Sequence, residues 1–286
     1  MEIKTVCVIG AGIMGAGIAQ VCVYNGYDVH LVDLNKIILD KALSSIKYNL
    51  DRFFVAKNKI SSEEAEKILK KISIFTDRKE AVKGTQLVIE AIFEDMELKK
   101  NLFQELDSIC DKNVILASNT SSLSITEMAS KANHQDRIVG MHFFNPVSVM
   151  KLIELIKGLN TSDKVMEITK RFSESLEGKI IVSIKDSPGF ITSRLIYVMA
   201  NEAVNMLMEG VATVEDIDKA CKLAFNFPMG PLELSDLIGN DVYNHIGEYL
   251  SKELGDKYKP SSLLRKMVHA GLLGRKTNKG FYDYNK

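Results

Sequence analysis

The chain has 286 residues, enough for a sizeable core and ordinarily for two domains. Hydrophobic residues make up 46% and charged residues 26%, the proportions of a soluble globular protein. Lys plus Arg balances Asp plus Glu at 37 each, so no overall charge argues for nucleic acid or a membrane surface as partner. No apolar run is long enough to span a bilayer. The opening MEIKTVCVIG enters a strand pattern at once, with no basic segment ahead of a longer apolar stretch, and predicts no signal peptide. Four cysteines (Cys7, Cys22, Cys110, Cys221) lack CxxC spacing and three sit in apolar runs. They are expected as free thiols, mostly buried, in keeping with a reducing cytoplasm. No His/Cys/Asp/Glu cluster has metal-ligand spacing.

In chain order, β-branched apolar runs at 5–9, 28–32, 86–91, 114–118 and 137–142 predict strands. Helical periodicity separates several of them, at 35–55, 62–71 and 96–110. Such alternation implies a mainly parallel sheet covered on both faces. Segments 150–156 and 179–184 read as further strands extending it. The character changes at Lys185-Asp186-Ser187-Pro188-Gly189, where proline and glycine punctuate the chain. Beyond it helical patterns dominate at 191–208, 214–224 and 261–270, and Thr213 three residues before Asp216 is an N-cap signal. The expected architecture is α/β: a doubly wound Rossmann-type sheet over 1–185, then a smaller all-helical domain over 186–286. A cleft between two such domains is a usual place for a small-molecule site.

Gly10-Ala11-Gly12-Ile13-Met14-Gly15 follows the first strand and opens a helix. In that setting Gly10 makes the tight turn, Gly12 lets backbone approach a pyrophosphate, and Gly15 lets helix and sheet pack closely. The helix N-terminus then offers N–H groups and the positive dipole end to the anion. Asp33 ends the next strand, 23 residues past Gly10. Its carboxylate can accept bonds from both ribose hydroxyls and would repel a 2′-phosphate, and no arginine follows in Leu34-Asn35-Lys36. The motif therefore points to NAD rather than NADP.

Four polar residues fall at or beyond predicted strand ends, where ligands of open α/β sheets lie. They are Ser121, His142, Asn145 and Glu154. Oxidation of a hydroxyl needs a base for the O–H proton, and histidine suits that role near neutral pH. Glu154, which interrupts the apolar run Leu152-Ile153-Glu154-Leu155-Ile156, could fix its tautomer. On residues alone, a satisfied core histidine and an edge glutamate stand beside that reading. His30, His134, His245 and His269 show no comparable surroundings in the sequence.

Ala117-Ser118-Asn119-Thr120-Ser121-Ser122-Leu123, Met141-His142-Phe143-Phe144-Asn145-Pro146 and Asp186-Ser187-Pro188-Gly189-Phe190 resemble the L-3-hydroxyacyl-CoA dehydrogenase family, most closely its bacterial 3-hydroxybutyryl-CoA members. Pro228-Met229-Gly230-Pro231-Leu232-Glu233-Leu234 and Gly280-Phe281-Tyr282-Asp283-Tyr284 are further matches, so the likeness runs from Lys4 to Tyr284. The resemblance implies His142 as general base in oxidation and acid in reduction, Glu154 as its orienting partner, and Ser121 on the reacting oxygen. It implies that Asp33, Glu94, Lys99, Asn119, Asn145 and Lys276 line the NAD site, and that the helical domain forms a homodimer. Lys99 alone would otherwise pass for a solvated helix lysine. Lys57 and Lys59 are candidates for the phosphates of the CoA substrate, with a charged helix end as the plain alternative.

One position departs from the pattern. After Pro188-Gly189-Phe190 the family pattern continues x-x-Asn-Arg; here the string is Ile191-Thr192-Ser193-Arg194, and Ser193 takes the place of the asparagine that resembles a substrate-binding, catalytic residue. Serine can donate a bond but reaches less far, and losing a donor aimed at developing negative charge costs ~3 kcal/mol, roughly a hundredfold in rate. A water could partly restore the contact. Three expectations follow: a working enzyme adjusted around Ser193, a slow one with altered acyl preference, or an NAD-binding protein without useful turnover, a use to which the family's lens-crystallin member has put the fold. Gly239-Asn240-Asp241 also departs, where the family often has an apolar middle residue.

Overall fold

The computed structural model describes residues 1–285. The chain forms two compact units, Met1–Asp186 and the remainder from Ser187.

In the first unit, eight strands form one sheet: β1 Thr5–Ile9, β2 Asp28–Val32, β3 Ile72–Phe75, β4 Leu87–Glu90, β5 Ile115–Ser118, β6 Ile138–Phe143, β7 Leu152–Lys157 and β8 Ile180–Lys185. Their order is β3-β2-β1-β4-β5-β6-β7-β8. The chain winds outward from β1 to β3, returns, and winds the other way from β4, so the switch point lies between β1 and β4, where such sheets bind ligands. The first six strands are parallel, whereas β7 runs antiparallel to β6, and β8 lies parallel to β7. Strands buried on both faces explain the continuous apolar runs. Val6, Val8, Leu31, Leu87, Ile89, Ala117 and Met141 are wholly buried, with Ile18 and Ala19 of a covering helix packed among them.

The helices of this unit are α1 Ile13–Tyr24, α2 Lys36–Leu50, α3 Ser62–Leu69, α4 Arg78–Ala81, α5 Met96–Ile109, α6 Ile125–Met128 and α7 Asp163–Ser175. Most start on a side-chain cap: Asn35 accepts from Ile37 N, Ser61 and Glu64 form a reciprocal capping box, Asp95 accepts from Leu98 N, and Ser162 accepts from Val165 N. The long helix expected over 35–55 is α2 followed by a single π turn, Asp51–Val55.

The second unit holds α8 Thr192–Met208, α9 Val214–Phe225, α10 Pro231–Ile238, α11 Asn240–Leu254 and α12 Ser262–His269. Thr213 caps α9 by accepting from Asp216 N, as its spacing predicts. Pro231 occupies the first turn of α10, where its missing N–H costs nothing. Tyr197, Val204, Leu232, Tyr243, Leu250 and Leu264 form the core. Two buried carboxylates lock the segment after α12. Asp236 accepts from Phe281 N, Tyr282 N and the Tyr284 hydroxyl, and Asp218 accepts from Leu232 N, Glu233 N and the Tyr282 hydroxyl. The same cluster accounts for Asn240. Fully buried, it donates to Asp236 Oδ1 and Leu272 O and accepts from the Ser235 hydroxyl, so the polar side chain is satisfied where an apolar one is usual.

Candidate active site

The glycine loop is built as its spacing requires. Gly10 has φ +98°, and a Cβ there would lie 2.5 Å from the Ala91 carbonyl oxygen. A Cβ on Gly15 would lie 1.7 Å from the Gly10 oxygen, so only glycine lets α1 start this close to β1. Gly12 differs: an added Cβ would meet nothing within 4 Å. The open space over Gly12 faces the start of α1, which has no side-chain cap and no acidic residue in its first turn. That cradle fits a pyrophosphate. Asp33, just past β2, accepts from Ala11 N at 2.9 Å, tying the glycine loop to the carboxylate expected at the ribose.

The chemical end lies past β4, β5 and β6. His142 and Glu154 are cross-strand partners in the antiparallel β6–β7 pair, with Nδ1 of His142 2.8 Å from Glu154 Oε2. The imidazole is 6% exposed and the glutamate 1%. A carboxylate there accepts the Nδ1 hydrogen and so fixes the tautomer of the imidazole. The antiparallel return of β7 sets the two opposite each other with only a short connection, where a parallel strand would need a longer crossover, and that reversal is the departure from the mainly parallel sheet. The Phe144 ring lies against the imidazole, centroids 4.2 Å apart. Asn119 Oδ1 accepts from Phe143 N at 2.9 Å, joining the segment that carries Ser121 to the strand that carries His142.

Glu94 follows β4 and turns its carboxylate onto this segment. Its Oε1 accepts from Thr120 Oγ1 at 2.6 Å, Ser121 N at 2.9 Å and Ser121 Oγ at 3.2 Å. Its Oε2 lies 3.3 Å from Lys99 Nζ. Lys99 is no solvated helix lysine: it is 1% exposed and sits 2.5 Å from Glu90, itself fully buried at the end of β4. Glu90 also accepts from Ile92 N and the Ser118 hydroxyl. Burial opposes charge on both, but Lys99 and the bonds from Thr120 and Ser121 N hold Glu94 below the ordinary range, and Glu90, then Glu94, hold Lys99 above it. Glu90, Ser118 and Thr120 were not singled out from the sequence. Glu90 carried a signal akin to that of Glu154, an acid in an apolar strand, here closing it.

The other expected residues are placed as follows. Asn145 is exposed and precedes Pro146 across a cis bond. Lys57 and Lys59 are exposed in the turn after the π segment, their ammoniums over the Phe53 and Phe54 rings at 5.8 and 5.5 Å. In the helical unit, Ser193 is buried in the first turn of α8, and Lys276 pairs with Asp241 at 2.5 Å. One expectation is corrected. His134 does have a carboxylate, Asp107, at 3.1 Å, because Asp107 is fixed there by Arg137 and by Asn133 N. That arrangement stitches α5 to the start of β6 at the end of the sheet remote from the glycine loop. All four cysteines are free, and burial pushes the Cys22 and Cys110 thiols up to about 12 and about 11, so neither offers a thiolate at neutral pH. Among the described residues, no cluster of three or more His, Cys, Asp or Glu could hold a metal, and no helix is long and apolar enough to cross a membrane.

A dinucleotide cradle at the switch point and a carboxylate-backed histidine near the end of β6 define an NAD-dependent oxidoreductase. Residues 5–187 match the model of the 3-hydroxyacyl-CoA dehydrogenase NAD binding domain, and residues 189–284 match that of the 3-hydroxyacyl-CoA dehydrogenase C-terminal domain. The chain is 47% identical to 3-hydroxybutyryl-CoA dehydrogenase of Clostridioides difficile, over 98% of this chain and 99% of the relative. It is 46% identical to the probable 3-hydroxybutyryl-CoA dehydrogenase of Bacillus subtilis, over 100% and 99%. The crystal structure of (S)-3-hydroxybutyryl-CoA dehydrogenase from Ralstonia eutropha superposes with a TM-score of 0.95 at 44% identity, covering both chains completely. The chain belongs to the 3-hydroxyacyl-CoA dehydrogenase family.

Proposed function

We propose that this protein catalyses the reversible oxidation of short (S)-3-hydroxyacyl-CoA thioesters, such as 3-hydroxybutyryl-CoA, to 3-oxoacyl-CoA. The observation that carries the reading is the buried His142–Glu154 pair, 2.8 Å apart, in a chain whose first unit matches an NAD binding domain. NAD, when bound, supplies the acceptor for the hydride leaving C3. Gly10, Gly12 and Gly15 seat its pyrophosphate, Asp33 its adenosine ribose, and Glu94, Asn119, Asn145 and Lys276 line the rest of its site. His142 takes the substrate hydroxyl proton on Nε2, and Glu154 stabilises the resulting imidazolium. In reduction the same nitrogen returns the proton. Ser121 hydrogen-bonds the reacting oxygen, Ser193 serves the substrate where the family has asparagine, and Lys57 and Lys59 bind CoA phosphates.

The protein works in the cytoplasm, in keeping with its unpaired thiols. It forms a homodimer through the helical unit, whose Leu195, Leu223 and Phe225 are exposed apolar side chains of the kind an interface covers.

The test is steady-state reduction of acetoacetyl-CoA with NADH, then NADPH, by the native protein and by Ser193→Asn. Native turnover with NADH supports the reading and shows that serine is accommodated. Turnover in the asparagine variant alone favours a second reading, an NAD-binding member whose chemistry was lost or redirected at this one position. Turnover in neither overturns the proposed substrate.

A further inference from the structure

A line of charges runs from the sheet interior to the proposed reaction site. Glu90 and Lys99 have almost no solvent contact, so neither meets substrate directly. Lys99 donates to Glu90 Oε1 and faces Glu94 Oε2, while Glu94 Oε1 gathers Thr120 Oγ1, Ser121 N and Ser121 Oγ. Burying an ammonium and a carboxylate here is costly unless each is paired and hydrogen-bonded, and fold alone would be served as well by apolar side chains. We infer that Lys99, anchored by Glu90, is a positioning residue for the reaction: it holds Glu94 in one place and one charge state, and Glu94 in turn fixes Ser121 against the reacting oxygen. The inference rests on the role proposed for Ser121.

The groups set against Glu94 are Lys99 from α5, Glu90 of β4 behind it, and the hydroxyls of Thr120, Ser121 and Ser122 past β5. With the ammonium removed, the cation paired with Glu94 is gone, and its carboxyl protonates at higher pH. If catalysis needs the anion, the acid limb of activity must move up with it.

The experiment uses Glu90→Gln/Lys99→Met, which removes one positive and one negative charge together and leaves no new unpaired charge beneath Glu94. Folding is checked by thermal denaturation, NADH affinity by fluorescence, and kcat and KM for acetoacetyl-CoA across pH 5–9. The expected result is a kcat about 10- to 100-fold lower at pH 6, recovering as pH rises, with KM little changed. In a Glu94→Gln background the same pair should change kcat less than about twofold, because Lys99 acts only through Glu94. An acid limb unmoved from the native one overturns the inference, and so does an undiminished effect in the Glu94→Gln background. If the double variant does not fold, Lys99→Gln decides: a kcat and an acid limb equal to native refute the inference, and a lowered kcat at pH 6 with the acid limb moved up and KM retained supports it. Failure of the native protein to reduce acetoacetyl-CoA is a separate result and counts against the proposed function.

Discussion

Glu154→Gln is the sharpest perturbation of the proposed base. The amide matches the carboxylate in size and can still accept from His142 Nδ1, so packing between β6 and β7 is preserved while the negative charge is lost. With Nδ1 and Oε2 2.8 Å apart, the charge centres of a formed imidazolium and the carboxylate lie ~4 Å apart, about 4 kcal/mol at an effective dielectric of ~20. Where the proton is half transferred, about half of that operates in the transition state. At 1.36 kcal/mol per tenfold, kcat should fall by about 30- to 1000-fold. Neither NAD affinity nor KM for 3-hydroxybutyryl-CoA involves the imidazolium, and both should stay within ~3-fold of native. The assay is steady-state oxidation of 3-hydroxybutyryl-CoA by NAD, with NADH binding followed separately by fluorescence. A kcat within ~3-fold of native would refute the charge-stabilisation argument. A large rise in NADH Kd would instead mean that the β6–β7 pair had been displaced.

Other consequences can be checked in the same preparation. Gly12→Ala adds a methyl where nothing lies within 4 Å, so melting should shift little while NADH affinity falls at least about tenfold, ~1.4 kcal/mol. Gly15→Ala drives a Cβ to 1.7 Å from the Gly10 oxygen and should destabilise by ~1–3 kcal/mol or more; equal melting of the two variants would remove the distinction between them. Asp33→Ala should weaken NADH binding and narrow the preference over NADPH, and an unmoved preference would remove Asp33 from the ribose. Burial works against charge on Asp107, but bonds from Arg137 and Asn133 N outweigh it and depress its titration below the ordinary 3.8. A carboxylate depressed on folding stabilises above its unfolded pKa, and that contribution disappears as pH falls through the folded value. Asp107→Asn, which leaves Arg137 buried without its anion, should therefore lose ~3–5 kcal/mol at pH 7. The gap from native should close below about pH 4 in urea titrations, and a constant gap would sink the assignment.

Much of the site was legible because its signals are local. The glycine loop, Asp33 and the N-cap at Thr213 depend on residues a few places apart, and the structure sets them as spacing predicts. His142 and Glu154 are 12 residues apart and could be paired only through strand register, which the sequence left open. Glu90 escaped, and Lys99 was reached only through the family resemblance, because a lysine among Glu97, Lys99 and Lys100 reads as a solvated face, whereas the structure buries it against Glu90 at the end of β4. The edge strand β3 was passed over because Ile72-Ser73-Ile74-Phe75 is short and half-buried, with no alternation long enough to register. Helix α7 was passed over for a different reason: its apolar stripe is narrow, and only Val165, Thr169, Phe172 and Ser173 are buried. Asn240 drew no reading at all, since its partners Asp236, Ser235 and Leu272 meet it only after the helical unit has folded.

The lock on the helical unit sets a sequence of events during synthesis. Asp218 and Asp236 are buried at α9 and α10, yet several of their donors come from Phe281, Tyr282 and Tyr284. A nascent chain that has completed the first unit must wait for nearly a hundred more residues before those donors exist, about 5–20 s at ~5–20 residues per second. Until then Asp218 has only Leu232 N and Glu233 N, and Asp236 only the Asn240 amide, among these donors, and both sets stay incomplete. The first unit is under no such restraint, so the dinucleotide cradle is assembled while the other half of the enzyme is still unfinished.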